Sequence, residues 1–147
     1  MNIIRSVLFT LLLAITNQGY PSPCDSVDHT LNSQQKTELA PVIANQLKVE
    51  EVEVMEMLRY KGWSIIYVNP YKYEPPYLFF SGDPKTTQHL YGWSGVAIRG
   101  EEEQVKTWIQ DHVQGIPEEF AGCFAWHVIY ERNKYISPNP ETTKEFK

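Results

Sequence analysis

The stretch W63-S-I-I-Y-V-N-P70 decides the fold. β-Branched and aromatic residues run through it without helical period, and it ends on an Asn-Pro turn signal, so it reads as a strand. Two similar runs follow: YLFF, Tyr77–Phe80, lies between Pro76 and SGDP, and LYGWSGVAI, Leu90–Ile98, stops before Gly100. Three strands in succession predict an antiparallel meander, with the proline-rich YKYEPPY as an irregular link between the first two.

On the N-terminal side, HTLNSQQKTELAPVIANQL carries Asn32 and Gln35 at capping-box spacing, followed by Leu39, Val42, Ile43 and Leu47. This predicts an amphipathic helix that Pro41 should kink or divide. Next, VEEVEVMEMLRYKG places Val52, Met55, Leu58 and Arg59 at helical spacing with glutamates opposite, and Gly62 reads as the stop of a second helix. On the C-terminal side, EEEQVKTWIQDHVQG gathers Val105, Trp108, Ile109, His112 and Val113 on one helical face, with acids at the positive end of the helix dipole. IPEEFAG reads as a short turn opened by Pro117, and CFAWHVIY, Cys123–Tyr130, as a fourth strand. The expected fold class is α+β: two layers, a mainly antiparallel sheet of about four strands covered on one face by about three helices.

The ends bound the compartment. Arg5 precedes an apolar run from Val7 to Ile15, which at about 1.5 Å per residue is too short to span a bilayer and fits the core of a signal peptide. Residues 1–19 are therefore expected to be removed, with cleavage between about residues 17 and 22. A single domain over residues 24–136 and a polar tail over 137–147 would remain, with no integral membrane segment. The net charge of −5 becomes about −6 when Arg5 leaves, and no basic cluster persists, so nucleic acid is a poor partner. An acidic surface suits a basic protein, or solubility alone. The two cysteines, Cys24 and Cys123, are expected to form a disulfide in an oxidising compartment, periplasmic or extracellular.

Catalytic readings find little purchase. Ser94 lies between Trp93 and Gly95, but a nucleophile elbow needs Gly-x-Ser-x-Gly on a strand-to-helix turn, and here the strand continues. Cys123 and His127, four apart along a strand, would be separated by about 13 Å. His29, His89, His112 and His127 show no metal-ligand spacing, so neither a metal nor a cofactor is expected. A pair of carboxylates acting on a glycosidic bond stays open, because separation in space is not visible in sequence.

One segment stands out. Tyr67, Tyr71, Tyr73 and Tyr77 are interleaved with Pro70, Pro75 and Pro76. Tyrosine gives a large contact area at small entropic cost and proline stiffens a loop beforehand, a composition that suits a protein-binding edge. The expected contact residues are Tyr71, Tyr73 and Glu74, with Tyr91 and Trp93 on an adjacent strand; Tyr67 and Tyr77 read rather as core.

The apolar run to Ile15, the Cys24 and Cys123 pair and the stretch YVNPYKYEPPY together make a layout that resembles the periplasmic immunity proteins of bacterial toxin–immunity pairs. GWSGVA, GIPEEFAGCFAWHV and the Trp63 strand are also similar to a recurrent small exported bacterial family to which we attach no activity. The resemblance implies a non-enzymatic inhibitor whose partner is a toxic wall- or lipid-degrading enzyme, such as a type VI-like effector. The competing expectations are a small exported hydrolase using Ser94 or a carboxylate pair, and a structural envelope protein.

Overall fold

The computed structural model describes residues 21–132; the expected signal segment 1–19, residues 133–136 and the tail 137–147 lie outside the described residues. The described chain is an α+β domain with one four-stranded antiparallel sheet, in the order β1-β2-β3-β4, and three helices.

Helix α1 spans Ser33–Leu47 and begins as its sequence predicts. Asn32 Oδ1 accepts from Gln35 N–H and Gln35 Oε1 accepts from Asn32 N–H, closing the capping box. Pro41 does not divide the helix, which runs unbroken through it. Its ring is exposed and so is Thr37, whose carbonyl loses its ladder donor on the solvent side of the helix.

β1 covers Glu53–Tyr60, where a second helix was expected. The reason is a β-bulge: the pairing with β2 shifts between Val54 and Glu56, leaving Met55 as the extra residue. Met55 and Leu58, two of the positions that read as helical, thereby lie three apart on the face toward α2 and α3, as Val54 and Met57 do on the face toward α1, a spacing that imitates a helix. Gly62 is no helix stop either. Lys61 and Gly62, at φ +45° and +80°, are the two central residues of a tight hairpin whose flanking pair is Tyr60 and Trp63.

β2 (Trp63–Asn69) and β3 (Tyr77–Ser81) form the expected meander, and β4 completes it over Tyr91–Trp93 only. The run from Ser94 to Ile98 leaves the sheet, with Val96 and Ile98 exposed. α2 (Glu102–His112) follows the predicted pattern. The expected fourth strand, Cys123–Tyr130, is instead the body of α3, Glu118–Tyr130. Pro117 opens it, Glu118 and Glu119 occupy its first turn, and Phe120, Ala121, Cys123, Phe124, Ala125, His127 and Val128 are buried. A helix surrounded so completely shows no polar face, so its sequence looks like a strand.

Both faces of the sheet are covered, so the layering is helix, sheet, helices and not two layers. Leu39, Ile43 and Ala44 of α1 pack on Val54, Met57, Ile66, Val68, Leu78 and Phe80. On the other face Leu58, Ile65, Tyr67, Tyr77 and Phe79 meet Ile109 of α2 and Phe120, Ala121 and Phe124 of α3. Cys24 and Cys123 are joined, with their Cα atoms 4.7 Å apart, and this staples the N-terminal segment to α3. Asp28 exchanges two backbone hydrogen bonds with Arg59, of 2.9 and 3.0 Å, laying the same segment along the outer edge of β1.

Candidate functional site

The link between β2 and β3, residues 70–76, is the expected proline-stiffened loop. Pro70 and Pro76 are buried at its two ends, and Val68 N–H donates to the Pro76 carbonyl at 3.1 Å. Inside it, Lys72 N–H donates to the Pro70 carbonyl at 2.7 Å, closing a three-residue turn around Tyr71 at φ +59°. Asn69 Oδ1 accepts from Tyr71 N–H at 2.9 Å and fixes the entry. A bulky aromatic residue in the left-handed region is uncommon and persists only where its surroundings dictate it. The result is that Tyr71 and Tyr73 stand 60% and 48% exposed on a loop with little freedom. Glu74 is exposed beside them, and the Tyr71 hydroxyl reaches toward Glu53 Oε2 at 3.5 Å. Partial desolvation, then the charges of Glu53 and Glu51, raise the Tyr71 pKa, so the loop sits in a negative field.

Tyr91 and Trp93 are placed otherwise. Tyr91 is half-buried against Trp108 and His112, with ring centroids 5.2 and 5.4 Å away. Trp93 packs edge-on against Phe124 at 5.5 Å and lies opposite Tyr77 across the β3–β4 ladder. Both rings therefore pack against residues of α2 or α3 and remain partly exposed.

Ser94, Asp111 and His127, which follow one another in an order common to serine triads, are not brought together. Ser94 is exposed in the irregular run after β4, Asp111 is exposed on α2, and His127 is fully buried on α3 with Nε2 2.9 Å from Glu56 Oε2. Cys123 and His127 are one helical turn apart and not 13 Å, because their segment is α3, but the Cys123 sulfur is held in the disulfide.

Register builds a second polar locus inside the sheet. Glu56, Tyr67, Tyr77 and Trp93 pair in turn across all four strands and form one row on the face beneath α3. Tyr67 and Tyr77 stack at 4.4 Å, which makes them core as expected, and the Phe124 ring meets Tyr77 edge-on at 5.1 Å. Burial first, and then the negative charge of Glu56, push the Tyr77 hydroxyl well above its ordinary pKa. At the open end of the row, His29 brings a ring nitrogen within 4.8 Å of the Glu56 carboxylate and the His127 imidazole. Histidines with no helpful spacing in sequence are thus gathered by the fold. The signals for them were a single glutamate inside VMEML and a single histidine inside AWHVI, polar residues set in apolar runs.

On the opposite face a cleft of about 930 Å³ opens between α1, the Lys61–Gly62 turn and the start of the β3–β4 link. Leu39 and Met57 are buried in it, and Arg59, Lys61, Asp83 and Lys85 line its mouth. Asp28, at one end, is held down to a pKa of about 2 by hydrogen bonds from Thr30 N–H and Thr30 Oγ1, and then by Arg59.

Comparison of the chain with protein-family models, with curated proteins and with solved structures found no match in any of the three. Among the described residues, no helix is long and apolar enough to cross a membrane.

Proposed function

We propose that this protein is an exported inhibitor of the immunity type, which captures a toxic wall- or lipid-degrading enzyme through the Tyr71–Glu74 loop. The observation that carries the reading is the combination at Tyr71: a large, exposed aromatic side chain on a backbone at φ +59°, clamped by Asn69 and by the buried prolines. Rings presented from a rigid loop lose little entropy on docking, the property shared by interface anchors. Glu51, Glu53 and Glu74 are exposed around or near the loop, while Glu50 pairs with Lys72 of the loop at 3.8 Å, so the acids outnumber the cation in a field suited to a partner whose active-site rim is basic. The disulfide fits a chain that works in an oxidising compartment.

The test measures capture and inhibition together. The oxidised protein is immobilised and presented with purified secreted amidases, muramidases and phospholipases, and hydrolysis of sacculi or phospholipid vesicles is followed with and without it. At least one enzyme is expected to bind and lose activity. The triple variant Tyr71→Ala, Tyr73→Ala, Glu74→Ala should keep the fold by circular dichroism and weaken capture by about 2 kcal/mol or more. Capture that is undiminished in the variant, or absent throughout, rejects the assignment.

A further inference from the structure

His29, Glu56 and His127 come from three separately anchored parts of the chain. Glu56 follows the bulge on β1, His127 lies in the middle of α3, and His29 follows Asp28, whose backbone is bonded to Arg59. One ligand-type atom from each lies within 4.8 Å of the others, and His127 Nε2 and Glu56 Oε2 are 2.9 Å apart. His127 is fully buried and Glu56 nearly so, among Tyr67, Tyr77 and Phe124. Two polar groups in such surroundings cost more than an apolar pair of similar volume, so packing alone gives no reason to keep them.

We infer that His29, Glu56 and His127 form a binding site for a divalent transition-metal ion, with Zn²⁺ the best match. Two imidazole nitrogens and one carboxylate oxygen are borderline donors of the kind zinc takes with three protein ligands and one water. Calcium and magnesium require more oxygens than the cluster offers. A tetrahedral ion with bonds of about 2.0–2.1 Å spaces its ligand atoms about 3.3 Å apart, so the buried pair opens by a few tenths of an ångström. His29 closes the remaining distance by rotating a half-buried side chain that also leaves a path from solvent.

The outer surroundings fit the same purpose. Glu131 Oε2 is 3.6 Å from His127 Nδ1, the nitrogen turned away from Glu56, a few tenths of an ångström beyond the carboxylate–histidine hydrogen bond that orients metal-binding imidazoles. The Cys24 and Cys123 sulfurs are also near His29 but are bonded to each other, so they supply no thiolate in the oxidised protein.

The oxidised protein, stripped with chelator and kept free of reductant, is titrated with Zn²⁺ in a calorimeter and with Co²⁺ in a visible spectrometer. One ion per chain is expected, and the Co²⁺ form should show the absorption of a tetrahedral nitrogen and oxygen site. His29→Ala, which leaves the buried pair intact and so tests binding apart from folding, should weaken Zn²⁺ at least about tenfold. Glu131→Gln should weaken it by about 10-fold to 100-fold. Absence of saturable binding, equal affinity in His29→Ala, or a thiolate charge-transfer band in the Co²⁺ spectrum overturns the assignment.

Discussion

His127 Nε2 and Glu56 Oε2 meet at 2.9 Å between helix α3 and strand β1, residues 71 apart in sequence and both buried. Removing Glu56 takes from the buried His127 Nε2 its 2.9 Å partner in a medium that solvates it poorly, with Glu131 still 3.6 Å from Nδ1. In chelator-treated protein, Glu56→Ala should cost about 3–5 kcal/mol in urea unfolding. Replacing both, Glu56→Met with His127→Leu, should cost clearly less than the single change. A double variant as unstable as Glu56→Ala would show that the pair itself contributes net stability.

The Cys24–Cys123 disulfide closes a loop over a sequence separation of 99. On the chain-entropy estimate such a closure stabilises by about 4–5 kcal/mol, before any native strain is subtracted. Cys24→Ala with Cys123→Ala should lower the urea midpoint correspondingly, and added reductant should then have no further effect on the variant. A midpoint unchanged from wild type would mean that the Asp28–Arg59 contacts alone hold the segment.

Asp28 has a folded-state pKa of about 2 against an ordinary 3.8, the hydrogen bonds from Thr30 being the largest cause. Its unfolded pKa is the higher, so the stabilisation is fully present above about pH 4 and is lost as pH falls toward 2. Wild type and Asp28→Asn should therefore differ most in stability above pH 4 and converge near pH 2. Because the side chain is half exposed, the difference will be modest and will shrink further in high salt. A gap that persists at pH 2 would contradict the account.

The Lys61–Gly62 hairpin turn holds both residues at positive φ, and a Cβ on Gly62 would meet nothing within 4 Å. Gly62→Ala is then a test of backbone strain without steric clash, and about 1–2 kcal/mol of destabilisation is expected. Lys61→Asn, which suits the left-handed region, should be neutral or slightly stabilising. Thermal melts of the two variants moving in the same direction would argue against this turn.

The uneven legibility of the sequence has physical causes. α1, β2, β3 and α2 carry their own signals: a capping box, β-branched runs bounded by turns, and an acid-headed apolar stripe. β1 and α3 exchange identities because each lacks the expected period. The bulge at Met55 sets inward residues three apart in a strand, while burial of α3 on nearly all sides removes the polar face a helix usually shows. Tyr71 and Tyr73 were readable as exposed because prolines bracket them, whereas Tyr91 and Trp93 depend on where α2 and α3 settle. The His29–Glu56–His127 cluster has no local signature, since it joins a terminal segment, a strand and a helix that only tertiary packing brings together.

The staple between Cys24 and Cys123 also acts in time. His29 reaches the Glu56–His127 pair because residues 24–30 are held at two points, the disulfide and the Asp28–Arg59 contacts. With the disulfide reduced, the first of these clamps would be open, and the third corner of the cluster would hang on the Asp28–Arg59 contacts. If the chain is exported as proposed above, passage into an oxidising compartment would close it, and that step would complete the proposed site.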